Sequence, residues 1–70
     1  MTAVTLNGER RELPSDATIA TAVELAGAPG NGRGVAVALD GEVVPRGEWA
    51  TTAVREGQEV EVLRAVQGGA

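Results

Sequence analysis

Two Asx-Gly dipeptides, Asn7-Gly8 and Asp40-Gly41, each separate a pair of short segments with apolar positions. Such a pair readily supplies the two positive φ angles of a type I′ turn, whose twist suits two antiparallel strands, so the chain is committed to two hairpins. In the first, residues 3–7 run into 9–13, with Val4 and Leu6 alternating with Thr5. Its return segment, Glu9-Arg10-Arg11-Glu12-Leu13, is polar until its end, which suits an edge strand whose charges discourage pairing with other chains. In the second, the unbroken apolar run Val35-Ala36-Val37-Ala38-Leu39 has the pattern of a central strand, buried on one face and partly covered on the other. It returns through Glu42-Val43-Val44 until Pro45 removes a ladder donor.

Between the hairpins, Pro14-Ser15-Asp16 breaks the strand, and Ile19, Ala22, Val23 and Ala26 then fall at i, i+3, i+4 and i+7. This spacing predicts a helix over 18–27, with Asp16 or Thr18 accepting from a free amide at its start and Gly27 with Pro29 stopping it. Two of the four stripe positions are alanine, so the helix should sit close against a sheet. Gly30-Asn31-Gly32-Arg33-Gly34 is a helix-to-strand connection, since a phosphate-cradling loop needs a strand before it and a helix after. Arg46-Gly47-Glu48-Trp49 is long enough for one turn and places the only aromatic ring under the sheet edge or across the core bottom, with an interface anchor as the less favoured reading of Trp49. After Gly57-Gln58, Val60, Val62 and Val66 keep period two, Arg64 interrupts that face, and Leu63 lies on the other.

A last strand with this pattern buries its valines by entering the sheet centre, between the first and third strands. The result is an α+β chain of the β-grasp, ubiquitin-like class: a mixed sheet of four to five strands with one main helix on one face. Residues 1–66 form the domain, and 67–70 form a C-terminal Gly-Gly tail.

Composition narrows the chemistry. The 70 residues include no histidine, cysteine, lysine, tyrosine or phenylalanine, which removes thiol nucleophiles, Schiff-base amines and imidazole bases and argues against an enzyme. No disulfide framework or thiolate zinc site is available. A net charge of −4 with no basic cluster longer than Arg10-Arg11 disfavours nucleic acid. No stretch approaches a membrane span or has the layout of a secretory signal, so the expectation is a cytoplasmic protein without a membrane partner. Glu59 and Glu61, two apart on one strand face, read as a solvated face that steers the chain toward a basic partner, with Val60, Val62 and Leu63 or their neighbours supplying the apolar contact. Arg46 and Arg64 read as ordinary exposed charges, with pairing to partner acids near the tail as the functional alternative.

The hairpin through Asn7-Gly8, the Thr18-Ile19 helix start, Val44-Pro45-Arg46 with Trp49, Glu56-Gly57 before the last strand, and Gly68-Gly69 near the end coincide in order and spacing over nearly the whole chain. In these features the sequence resembles the ThiS sulfur-carrier family of thiamin thiazole biosynthesis, within the ThiS/MoaD group. It lacks the proline pairs usual before Gly-Gly in the related molybdopterin-synthase subunit and has Ala65-Val66-Gln67 there instead. The resemblance implies that the Gly69 carboxylate is adenylated by a ThiF-like enzyme using ATP and magnesium, with no cofactor bound permanently by the carrier. A cysteine desulfurase or other sulfur donor then converts it to a thiocarboxylate, which passes sulfur to a ThiG-like thiazole synthase. On this reading Gln67 and Gly68 thread the tail into the partner, where glycine's missing Cβ allows close approach. The partner-contacting residues are Val60, Val62, Leu63, Arg64 and Val66.

The chain departs from the family pattern at Ala70, which follows Gly69. Removal by a processing protease is the preferred explanation, ahead of tolerance by the activating enzyme or an artefact of preparation. The absence of lysine would confine self-conjugation to the N-terminus, but a general compositional preference for arginine is the favoured explanation. Three alternatives stay open: a sulfur donor for another sulfur-containing metabolite, a ubiquitin-like modifier ligated through the same Gly-Gly, and a non-covalent β-grasp binding module.

Overall fold

The fold is taken from a computed structural model of the 70-residue chain, in which residues 1–27 and 34–64 are described. The elements run β1 (Thr2–Leu6), β2 (Glu9–Leu13), α1 (Ile19–Leu25), β3 (Val35–Leu39), β4 (Glu42–Val43), a 3-10 turn (Arg46–Glu48) and β5 (Glu59–Arg64). They form one sheet in the order β2-β1-β5-β3-β4. The last strand occupies the centre, parallel to β1 and antiparallel to β3, as expected from the need to bury its valines.

Both hairpins turn where the Asx-Gly pairs sit, with φ of 51° and 84° at Asn7 and Gly8, and 49° and 86° at Asp40 and Gly41. Two consecutive residues at positive φ define the primed turn. β1 therefore spans 2–6 rather than 3–7, because Asn7 is already the first turn residue. β4 is shorter than the sequence suggests. Val44 N–H still donates to the Val37 carbonyl at 2.8 Å, and Pro45 follows with no donor to continue the pairing.

The helix is shorter at both ends than 18–27. Thr18 is its N-cap, in extended conformation, and Ala26 its C-cap, while Gly27 at φ 77° carries the chain out of the helix. Thr18 rather than Asp16 holds the start, in a capping box with Thr21; within it Thr18 N–H donates to Thr21 Oγ1 at 3.2 Å. Two of the donors that every helix start leaves without an intrahelical partner are met by backbone from far along the chain. Ile19 N–H donates to the Thr52 carbonyl at 2.9 Å and Ala20 N–H to the Trp49 carbonyl at 3.0 Å. The segment after the 3-10 turn thus clamps the start of α1, and Val54 N–H returns to the Ala17 carbonyl at 3.1 Å.

The core lies between α1 and one face of the sheet. Ile19, Ala22 and Val23 meet Val4 and Leu6 of β1, Val37 of β3, and Val60 and Val62 of β5. Trp49 closes the cluster and is buried, and its Nε1–H donates to the Val44 carbonyl at 2.9 Å. No helix among the described residues is long and apolar enough to cross a membrane. Gly30-Asn31-Gly32-Arg33, residues 65–70 and the proposed domain boundary at residue 66 lie outside the described residues.

Candidate partner face and tail exit

Alternation along β5 divides the residues that the sequence groups together. Val60 and Val62 point into the core, at 0% and 7% exposure, whereas Leu63 on the opposite face is 62% exposed. This corrects the expectation that Val60 and Val62 offer apolar contact to a partner. In the central strand of a sheet covered on one face, the period-two residues are the ones that α1 buries. Of the expected partner-contacting residues, Leu63 and Arg64 are at the surface; Val66, Gln67, Gly68 and Gly69 fall outside the described residues.

Cross-strand register shows what accompanies Leu63. Residues directly opposite in an antiparallel ladder share a face. Ala36 lies opposite Leu63, Ala38 opposite Glu61, and Val43 opposite Ala38. Leu63, Ala36, Ala38 and Val43 therefore form an apolar strip across three strands on the face that α1 leaves open. Val43 is 76% exposed on the edge strand, and the two alanines of β3, between it and Leu63, keep the strip flat. Glu61 interrupts it, and Glu59, opposite Thr5, extends the same face with negative charge. A shallow depression at the end of the sheet, lined by Gly34, Val35, Ala36, Leu63 and Arg64, adjoins the strip where β5 ends. Sequence reasoning found Leu63 but not Ala36, Ala38 or Val43. The signal was present, because a two-residue turn at Asp40-Gly41 fixes Ala38 opposite Val43.

Two hydrogen-bonded anchors hold β5 from the hairpin turns. Val62 N–H donates to Asn7 Oδ1 at 2.7 Å and Asn7 Nδ2 donates to the Val62 carbonyl at 3.3 Å. On the other side, Glu59 N–H donates to Asp40 Oδ1 at 2.9 Å and Gln58 Nε2 to Asp40 Oδ2 at 3.2 Å. The first residue of each primed turn thus also grips the central strand. Glu59 and Glu61 are exposed on their strand. No group of three or more histidine, cysteine, aspartate or glutamate residues among the described residues is arranged to hold a metal ion.

The model of the ThiS family matches residues 4–69. The chain belongs to the ThiS family. It is a ubiquitin-like protein of the sulfur-carrier kind, a small carrier rather than a catalyst, and membership implies in general an activating enzyme and a thiazole synthase as partners. The match takes in the hairpin turns, the central strand and both tail glycines, and stops one residue short of Ala70. Among solved structures, the chain is similar to the thiamine biosynthesis protein ThiS from Geobacter metallireducens, with a TM-score of 0.76 and 26% identity, covering 97% of this chain and 100% of that one. It also shares its fold with SAMP1 from Haloferax volcanii, with a TM-score of 0.62 and 22% identity, over 97% of this chain and 98% of that one. No match is found among curated proteins.

Proposed function

We propose that this chain carries sulfur as a thiocarboxylate on Gly69 and delivers it to a thiazole synthase in thiamin biosynthesis. The observation that carries the reading is the family match running from the first strand through both tail glycines, with those glycines placed after the central strand of the sheet. An inventory without imidazole, thiol or amine side chains agrees with chemistry carried by a carboxylate, and it is the family membership that points to the one on Gly69.

A carboxylate resists nucleophiles until one of its oxygens is made a leaving group. In the proposed cycle the Gly69 carboxylate attacks the α-phosphorus of ATP, pyrophosphate departs, and an acyl-adenylate forms. ATP and magnesium belong to the activating partner. The terminal sulfur of a donor persulfide then attacks the acyl carbon and AMP leaves. A second thiol cleaves the acyl-linked disulfide, becoming oxidised to a disulfide itself and releasing the thiocarboxylate. Gly68 and Gln67 thread the partner's channel, where a side chain beyond Gly69 obstructs the approach to ATP. Ala70 is accordingly removed before activation. Leu63, with Ala36, Ala38 and Val43, gives the activating enzyme an apolar seat beside the tail, and Arg64 sits at its margin.

The test is intact and fragment mass spectrometry with thiol alkylation, on chains of residues 1–69 and 1–70, after treatment with ATP, magnesium, a ThiF-class enzyme and a persulfide donor. A chain without cysteine takes up label only at a thiocarboxylate. Label on Gly69 of the shorter chain and none on the longer one is the expected result. Equal labelling of both removes the processing step, and no labelling of either with a demonstrably active enzyme removes the carrier reading. Glycine-linked adducts on other proteins point to a modifier.

A further inference from the structure

β1 and β5 run parallel, and their ladder is short: Thr5 lies beside Glu59 and Leu6 beside Val60. Thr5 N–H donates to the Gln58 carbonyl at 3.0 Å and Asn7 N–H to the Val60 carbonyl at 2.9 Å. In a parallel ladder, the next two bonds of a straight β1 would be made by the carbonyl of residue 7, accepting from Val62 N–H, and by the amide of residue 9, donating to the Val62 carbonyl. The chain cannot make them, because Asn7 turns away at φ 51° to begin the hairpin. Its side chain makes both instead: Oδ1 accepts from Val62 N–H at 2.7 Å and Nδ2 donates to the Val62 carbonyl at 3.3 Å. A carboxamide has the donor and acceptor of a peptide group, and asparagine tolerates the left-handed backbone region better than most residues. Aspartate suits the turn but lacks the donor, and glycine suits the turn but lacks both groups.

On its other side β5 is paired with β3 to its last residue, Arg64 opposite Val35. On the β1 side the ladder ends at Val60, and the Asn7 carboxamide extends the hold two residues toward the tail. Gly69 lies five residues beyond Arg64, a reach of at most about 18 Å, so the register and direction in which β5 ends set the point from which that reach is measured.

We propose that Asn7 is a positioning residue for tail activation: its side-chain amide substitutes for a β1 peptide group and fixes the register and direction in which β5 presents the C-terminal residues to the activating enzyme. The clamp stands on the geometry alone; its effect on activation rests on the carrier reading above.

The test uses Asn7→Gly, Asn7→Asp and, as a matched control, Asp40→Gly, which removes the equivalent turn residue from the far end of β5. Residue-resolved amide exchange reads the clamp. In Asn7→Gly the Val62 amide exchanges about fivefold faster or more, the equivalent of one ordinary hydrogen bond. In Asn7→Asp it stays protected, and in Asp40→Gly the Glu59 amide loosens while Val62 does not. Steady-state adenylation, with whichever of the 1–69 and 1–70 chains is activated, reads the positioning. Asn7→Gly raises KM for the carrier about fivefold with kcat little changed; Asn7→Asp, keeping the acceptor, raises it less, and Asp40→Gly leaves it unchanged. Unaltered Val62 exchange in Asn7→Gly overturns the clamp. Unaltered KM in Asn7→Gly, or an equal rise in Asp40→Gly, overturns the positioning role. Should Asn7→Gly not fold, equal KM for Asn7→Asp and the wild type overturns it as well. If the wild-type chain is not adenylated, the carrier reading is what fails, and amide exchange still decides the clamp.

Discussion

Trp49 fills the end of a core otherwise made of valine, leucine, isoleucine and alanine, and its indole N–H answers the carbonyl that Val44 presents just before Pro45 breaks the second hairpin. Trp49→Phe removes the donor and part of the volume together. It leaves a buried carbonyl without its partner and a small void, at a combined cost of about 2 kcal/mol. For a domain of this size that is a fall in Tm of roughly 8–16 °C, to be read by thermal denaturation followed by circular dichroism. The core role of this residue was legible because a chain with one aromatic ring has little else to anchor its interior. Asn7 was legible only in part. Its place before Gly8 declares a turn, which is a local property, whereas its bond to Val62 spans 55 positions and exists only once β5 has entered the sheet.

At the scale of elements, α1 shows how little side-chain volume a helix needs when it lies close to a sheet. Ala22 is fully buried on the sheet-facing stripe beside Ile19 and Val23, so the alanine is a spacing requirement rather than a weak hydrophobe. Ala22→Leu forces extra methylenes into a filled space and destabilises by about 1–3 kcal/mol, although leucine has much the same helix propensity as alanine. Urea unfolding gives the sign: a lowered midpoint with unchanged slope is expected, and a raised midpoint contradicts close packing at this site. The helix itself could be read from its apolar spacing. Its clamp could not, because the carbonyls of Trp49 and Thr52 that meet its first amides carry no mark in the sequence. The strands were legible from their turns and alternation to within a residue or two. For β5, Val60 and Val62 were grouped with Leu63 because the segment is apolar throughout, whereas period two divides it into a buried face and an open one.

For the molecule as a whole, one face of the sheet is spent on the core and the other is left with an apolar strip beside two carboxylates. The strip is small, and the binding role proposed for it is separable from that proposed for the charge. Leu63→Asp removes the largest side chain of the strip and puts a charge on it, while leaving the buried Val62 and Val60 in place. Thermal stability should change little, since Leu63 is 62% exposed, and affinity for the activating enzyme should fall by about tenfold or more. Glu59→Gln with Glu61→Gln acts differently. Both carboxylates are exposed, and the chain carries a net charge of −4, so their contribution is to the long-range approach toward a basic partner surface. The double change should slow association by about three- to tenfold at low ionic strength and leave dissociation nearly unchanged. Near 0.5 M salt the two proteins should associate at similar rates, since the screening length is then well under 10 Å. Stopped-flow or surface binding kinetics at two salt concentrations separates the cases. Unchanged affinity and dissociation in Leu63→Asp, or association by the double glutamine variant as fast as the wild type at low salt, contradicts engagement of this face.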